Sequence, residues 1–334
     1  MKILFAIILL LFFMGSSAFC QTKVGTTAAN FLTIPVGARA ASMGGAFVAI
    51  ANDVSTIFWN PGGLSRLPQS EFNITHANWL VGTDLNWLGI AFKFGSSALG
   101  VSINQLDYGK EEITTALNPE GTGEKWSAQD IAAGLTYSRN LTDRFSVGGS
   151  VKYIQQKIAH ESASAVGFDV GLLFTTDLRG LRLGMNICNF GSELRMNGED
   201  LLQPVDIDPG NSGNNDNIVS RLDTDSWPLP LFFTVGLGFD AIRSEQWRLS
   251  LGSDAIHPNN QTLHLNTGGE FVWNDFFALR AGYNSLFKEA AEEGLSLGFG
   301  INYNFRTIAL KLDYGYLDFG VFDSVSRYSL SIGF

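Results

Sequence analysis

Apolar and polar residues alternate with a period of two through most of this chain after Ser70. In Leu295–Phe305, for example, Leu297, Phe299 and Ile301 fall on one face, and the residues between them are small or polar. Such alternation is typical of β-strands that have one apolar and one polar face. The pattern therefore predicts an all-β domain over residues 70–334.

About fourteen segments of this kind follow one another, and most are about nine to thirteen residues long. Their approximate spans are 70–80, 84–95, 97–109, 126–140, 144–159, 165–176, 180–189, 229–240, 245–256, 261–273, 276–285, 293–304, 306–317 and 326–334. Strands of globular proteins usually have about five or six residues, whereas a tilted membrane-spanning strand needs about nine to eleven. The lengths therefore predict a transmembrane outer-membrane β-barrel of about fourteen antiparallel strands.

The connections between these segments differ in length according to their position. Those after odd-numbered segments are mostly long and include 110–125, 190–228, 286–292 and 318–325, whereas those after even-numbered segments have only a few residues. Outer-membrane barrels show this difference, because their extracellular loops are long and their periplasmic turns are short. The connection 190–228 holds eight acidic residues against two arginines, so we expect a long acidic extracellular loop.

Four oxygen-bearing side chains of this loop form a candidate site for an extracellular partner or for weak calcium binding. They are Asp206, Asp208, Asn211 and Asp216. Their spacing does not match the EF-hand calcium loop, and a solvated acidic loop is the alternative interpretation.

The two ends of the chain carry export and assembly signals. Lys2 and the apolar run Ile3–Met14 are typical of a secretory signal peptide, predicted here over residues 1–20 with cleavage after Cys20. A lipid-modified Cys20 is the alternative. At the other end, alternating apolar residues and a final aromatic residue predict a barrel-insertion signal. Its residues are Tyr328, Leu330, Ile332 and Phe334.

The composition and the motifs exclude several classes of function. A net charge of −10 argues against nucleic-acid binding, which needs clustered Lys and Arg. The four histidines and two cysteines lack the spacing of a metal site, so we expect no metal and no cofactor. Glycines within strands, such as Gly298, leave room for packing in the lumen. We predict that the protein is not an enzyme, with a barrel hydrolase as the alternative.

Residues before Ser70 do not alternate, and they contain two motifs. The run Gly37–Ala49 is rich in small residues, and Trp59–Leu64 follows it closely. Together they resemble the PorV/PorQ (UPF0164) family, which is related to the FadL-type fatty-acid channels. The resemblance implies a fourteen-stranded barrel whose N-terminal segment, residues 21–69, folds into the lumen as a hatch. Gly62 stands where the family usually has alanine, and we expect this change to loosen the turn.

The matching motif positions are the candidate hatch residues. They are Gly37, Arg39, Met43, Gly44, Gly45, Trp59, Asn60, Pro61, Gly62 and Gly63.

The resemblance implies a component associated with type IX secretion that handles exported proteins at the outer membrane. A FadL-like channel for hydrophobic molecules such as long-chain fatty acids is the alternative, and a purely structural barrel is a third interpretation. The expected partners are outer-membrane lipid and the barrel-assembly machinery, with the type IX translocon, its cargo proteins or a hydrophobic ligand in the lumen as further candidates.

Overall fold

A computed structural model describes residues 25–178, 180–211, 217–288 and 291–334. The predicted signal peptide, residues 1–20, lies outside the described residues. Within these ranges fourteen long strands of 8 to 16 residues make up one antiparallel sheet. In chain order they are β1 Glu71–Asn78, β2 Asp84–Phe94, β3 Ser97–Glu112, β4 Lys125–Asn140, β5 Phe145–Ile158, β6 Glu161–Thr175, β7 Arg182–Gly191, β8 Phe232–Arg243, β9 Trp247–Pro258, β10 His264–Trp273, β11 Phe277–Leu286, β12 Leu295–Phe305, β13 Ile308–Asp318 and β14 Ser324–Gly333.

The sheet closes on itself. Each strand pairs with its neighbours in the sequence, and β1 pairs with β14 from Glu71 opposite Gly333 to Asn78 opposite Ser326. Closure leaves no strand of the ring with an unpaired edge, which is the condition for a sheet that crosses hydrocarbon. The predicted all-β barrel of fourteen antiparallel strands is therefore confirmed.

The connections follow the predicted alternation in length with one exception. Residues 159–160 alone join β5 to β6, because β6 begins at Glu161 rather than at the predicted residue 165. The longest connection runs from residue 192 to residue 231, since Pro228 and Pro230 lack the N–H that would extend β8 backwards.

The longest connection contains strands of its own, which sequence patterning did not predict. Leu194–Arg195 pairs with Ser226–Trp227, and Asn197–Gly198 pairs with the start of β6. Leu202–Val205 and Ile218–Arg221 form a two-stranded sheet, which we call the ribbon.

The two faces of the wall differ in polarity as the alternation requires. Outward side chains such as Tyr153, Val170 and Phe299 are about half exposed, whereas inward ones such as Ser150 and Ser296 are buried. An apolar outer face around a polar interior is typical of barrels that lie in lipid.

The helices among the described residues are all short. Residues 25–69 contain two short α-helices, α1 Ala38–Ser42 and α2 Thr56–Trp59, and 3-10 turns at Asn30–Thr33 and Pro61–Arg66. Two further 3-10 turns, Leu80–Gly82 and Gly320–Phe322, lie in connections between strands. In the described part of the chain, no helix has the length and apolar character needed to cross a membrane.

Candidate functional site

Residues 25–69, which we call the N-terminal segment, lie against inward-facing glycines of nine strands. A Cβ atom at any of these positions would come closer than 3.0 Å to the segment. They form what we call the glycine belt: Gly100, Gly148, Gly171, Gly184, Gly252, Gly268, Gly282, Gly298 and Gly315. A segment that touches so many strands of a closed ring lies inside it. The small residues on both sides let two backbones approach closely.

The segment passes around the inner wall in the order opposite to the strands. Its α1 begins at β13 and β14, where the backbone N–H of Ala38 donates to Ser329 Oγ at 2.8 Å. Val48 meets the glycine of β7, and Pro61 meets that of β5. The segment thus contacts the inner wall from β13 to β5. Its role as a moving hatch and the bounds 21–69 stay predictions.

The glycines of the first motif adopt backbone conformations that other residues rarely take. Gly37, Gly44 and Gly45 have φ values of 78°, 66° and 69°. A Cβ on Gly44 would also lie 2.6 Å from the backbone oxygen of Thr267 on β10. Met43, which is fully buried, packs in an apolar cluster that links the two motifs.

The second motif is held by hydrogen bonds to both the segment and the wall. The indole Nε1 of Trp59 donates to the Val36 carbonyl at 3.1 Å. The Asn60 amide donates to the carbonyls of Val48 and Leu172 at 2.8 and 3.0 Å, and its Oδ1 accepts from Gly62 N at 3.0 Å. Asn60 therefore joins two parts of the segment to β6, just before Pro61 begins the 3-10 turn.

The expectation that Gly62 loosens this turn is wrong. A Cβ at Gly62 would lie 2.7 Å from the Gly171 carbonyl oxygen, so glycine allows close contact with β6. Gly63 is confined in the same way by Ala51 and Thr56 of the segment itself. Both positions are tightly packed.

Arg39 connects the segment to the wall through a buried ionic network. Its Nε and Nη2 atoms donate to the two oxygens of Glu270, both at 2.8 Å, and its Nη1 pairs with Asp53 at 2.8 Å. Glu270 also accepts from Arg280 at 2.7 Å, and Arg280 pairs with Asp313 at 2.7 Å. Burial opposes the charge on Arg39, but the carboxylates of Glu270 and Asp53 outweigh it and raise the pKa of the guanidinium. Arg39 therefore stays charged.

This network borders a polar cavity of about 300 Å³ at the short-turn end of the lumen, which we call the charged cavity. Lys311 and Glu71, which form an ion pair at 2.9 Å, also line it. Sequence reasoning selected Arg39 but missed Glu270, Arg280 and Asp313. Each of these three is a charged residue on the inward, polar face of a predicted strand, and this pattern could have identified them as residues of the lumen.

A second cavity, of about 130 Å³, lies on the long-loop side of the segment, and we call it the aromatic cavity. Phe58 and Trp59 of the segment line one side, and Phe232 and Ile256 line another. Polar and charged side chains complete its wall, among them Asp254 of β9, Asn284 of β11, and Lys288 and Glu293 of the connection after β11. Of these lining residues, sequence reasoning had selected only Gly45 and Trp59.

The other predicted site residues lie away from the lumen. Tyr328, Leu330, Ile332 and Phe334 point outward from β14 or follow it, while Ser329 and Ser331 point inward and are buried.

The calcium candidates are described only in part, because Asp216 lies outside the described residues. Asp206 Oδ1 accepts from the backbone N–H of Asp208, and Asn211 N–H donates to the Asp208 carbonyl. Among the residues that the structure describes, no group of three or more His, Cys, Asp or Glu side chains is arranged to hold a metal ion. Calcium binding stays a prediction.

The closed antiparallel barrel of fourteen strands has the fold of the FadL-type outer-membrane channels. Residues 13–194 match the model of the uncharacterised protein family UPF0164, and the chain belongs to this family. The family predicted from the two motifs is thereby confirmed. No curated protein matches the chain significantly in sequence.

Three solved channels illustrate the likeness of fold. The CymD monoaromatic hydrocarbon channel superposes with a TM-score of 0.56 at 13% identity, covering 89% of this chain and 96% of that chain. The toluene transporter TodX of Pseudomonas putida gives 0.55 at 14% identity, with coverages of 89% and 96%. A FadL homologue of Pseudomonas aeruginosa gives 0.52 at 14% identity, with 90% and 98%. These similar structures are channels and transporters rather than enzymes.

Proposed function

We propose that this protein is an outer-membrane channel that admits small hydrophobic molecules. The observation that carries the proposal is the aromatic cavity, which lies inside the barrel between Phe58 and Trp59 of the segment and Phe232 of the wall. Ligand sites are typically concave and lined by apolar and aromatic side chains with a few polar groups. The fold supports the same conclusion, because CymD and TodX are channels for monoaromatic hydrocarbons and toluene.

The N-terminal segment has the position that a gate would need. It separates the aromatic cavity at the long-loop end from the charged cavity at the short-turn end. An apolar molecule gains nothing from entering a cavity lined by ion pairs, because its entry would displace water that solvates the charges. Passage therefore requires the segment to move away from part of the wall, with Arg39 as its ionic attachment.

An uptake assay tests the channel. The protein is expressed in a Gram-negative host that lacks its own hydrocarbon channel, and fractionation verifies that it reaches the outer membrane. We expect faster uptake of radiolabelled toluene than in cells that carry the empty vector. Replacing Phe58 by Asp places a charge in the cavity wall and should remove the gain, whereas Leu117→Asp, at an exposed position in the connection between β3 and β4, serves as a surface control. Uptake equal to that of the empty vector would reject the channel.

A second candidate function, the handling of exported proteins beside a type IX translocon, is favoured by the ribbon. Its two strands have four residues each, and no third strand pairs with them in the described parts of the chain. Val219 is 69% exposed and Val205 is 40% exposed. Two-stranded ribbons are marginally stable in water, so a strand added from a partner would stabilise this one.

Within the described residues, one edge of the ribbon is open to such a strand. Leu222 N–H donates to the Leu201 carbonyl, so Pro204 and Val219 face each other at a position without ladder hydrogen bonds. The nitrogen of Pro204 therefore faces the outer edge of its strand and blocks pairing there. The free edge is that of Ile218–Arg221, and the acidic excess of the surrounding loop favours an extended basic segment.

Peptide binding tests this second function. The probe is a fluorescent peptide of alternating lysine and valine, titrated onto the protein in lipid nanodiscs. We expect binding that weakens with salt and that Val219→Pro removes, because proline deletes an edge N–H. Val219→Thr keeps the backbone and should still bind. Equal binding by both variants would reject strand addition at this edge.

A further inference from the structure

The volume of the aromatic cavity matches a ligand with a single ring. Its volume of about 130 Å³ is close to that of a protein cavity of about 150 Å³ that binds benzene. A single ring fits this space. Phe58, Trp59 and Phe232 line the cavity with aromatic side chains, which favour an aromatic ligand.

Two residues that line this cavity each have a buried oxygen with no hydrogen-bond partner in the part of the chain that the structure describes. Asp254 Oδ2 accepts from the backbone N–H groups of Phe47 and Val48 at 2.7 and 2.9 Å, but its Oδ1 accepts nothing. Asn284 Oδ1 is equally without a partner. Both residues are 1% exposed, and both line the cavity. A buried acceptor without a donor destabilises the protein, so such groups commonly indicate a bound water, ion or ligand.

The lack of a cationic partner for Asp254 also indicates that its Oδ1 needs a donor from a ligand. Among the described residues, no Lys, Arg or His nitrogen forms an ion pair with this carboxyl group. A plain hydrocarbon would leave both oxygens unsatisfied, and an anionic ligand would bring a second acceptor towards them. A ligand with an O–H or N–H group satisfies at least one of them.

We propose that the aromatic cavity selects monocyclic molecules that carry a hydrogen-bond donor, such as phenols, over plain hydrocarbons of the same size. This inference rests on the proposed channel function and names its substrate class. The ring is held by the aromatic walls, and the donor is recognised by Asp254 and Asn284.

Binding of two probes of equal ring size tests the selectivity. Phenol and toluene are titrated by calorimetry onto the protein in nanodiscs, with empty nanodiscs subtracted to remove partition into lipid. We expect phenol to bind roughly tenfold more tightly than toluene, as one hydrogen bond to a charged or buried acceptor allows.

Two substitutions test whether Asp254 and Asn284 recognise the donor group of the ligand. Asn284→Leu should reduce the preference for phenol several-fold while toluene still binds, and Asp254→Asn, which gives the side chain a donor of its own, should weaken phenol binding. Asn302→Leu, in the charged cavity, is the matched control and should keep the preference. The shift in gel mobility on heating verifies that each variant is a folded barrel.

The possible results distinguish a failure of donor selection from a failure of the proposed channel function. Equal affinities for phenol and toluene would overturn donor selection but leave a hydrophobic channel intact. A preference that persists in both Asn284→Leu and Asp254→Asn would overturn the assignment to these oxygens. Binding of neither probe would overturn the inference and the channel together.

Discussion

At the scale of single residues, the N-terminal segment is held by the hydrogen bonds of Asn60 and by a glycine that lies too close to the wall for a Cβ atom. Asn60 uses its amide and its Oδ1 in three hydrogen bonds, which tie the segment to itself and to β6. Gly44 has a left-handed backbone and lies against the backbone of β10 and β11. The residue types of the two motifs are therefore explained by the close packing and the hydrogen bonds of a segment inside a barrel.

Replacing Gly44 by alanine tests the tight packing of the segment. Gly44 and Gly82 have nearly equal φ values of 66° and 70°, but a Cβ on Gly82 meets no atom within 4 Å. Gly82→Ala should cost about 1–2 kcal/mol for the left-handed conformation alone. Gly44→Ala adds a collision with Thr267 and Tyr283, and overpacking of this kind costs roughly a further 1–3 kcal/mol.

Urea-induced unfolding in detergent micelles measures the free energy of unfolding of both variants. Because the conformational strain is the same, the difference between them reports the collision. Equal destabilisation would contradict the position of Gly44 against the wall.

At the scale of elements, the attachment of α1 to β10 is ionic. Arg39 is bidentate to Glu270, which Arg280 supports from β11. Breaking a buried ion pair by removing one partner costs about 3–5 kcal/mol. We expect Arg39→Met to loosen the segment and to increase the ion conductance of the barrel, and Arg39→Lys, which keeps the charge but loses the fork, to have an intermediate effect.

Conductance in planar lipid bilayers checks this prediction. Arg248→Met is the matched control, because Arg248 lines the same cavity but lies 3.8 Å from the exposed Asp275. The ionic attachment would be refuted by an Arg39→Met channel that conducts like the unchanged protein.

The elements themselves could be predicted from the sequence, because a wall between lipid and a polar lumen forces each strand to alternate. For this reason the predicted spans match the fourteen strands closely. The partners of Arg39 could not be predicted, because the meeting of Glu270, Arg280 and Asp313 depends on the register between β10, β11, β12 and β13. The cavities escaped prediction for the same reason, since their linings come from residues far apart in the chain. The ribbon was missed because its four-residue strands are too short to show a period.

At the scale of the whole molecule, the barrel exists only when its last strand pairs with its first. Every residue of β1 has a partner in β14, and Phe334 N–H donates to the Ser70 carbonyl just beyond this ladder. The barrel therefore cannot close until the C-terminal strand is in place. We expect the outward residues of that strand, as the predicted insertion signal, to be accessible to the assembly machinery before closure.

Replacing Phe334 by alanine should reduce assembly more than it reduces stability. Its ring is 50% exposed on the outer face, and that of Phe305, near the same end of the barrel, is 56% exposed. Both substitutions remove similar contact with lipid, so both should lower the stability of the folded barrel by a similar, small amount. If Phe334 belongs to the insertion signal, Phe334→Ala alone should lower the amount of folded protein in the outer membrane several-fold. Fractionation followed by gel electrophoresis with and without heating measures that amount, and equal levels of the two variants would show that assembly does not depend on the final aromatic residue.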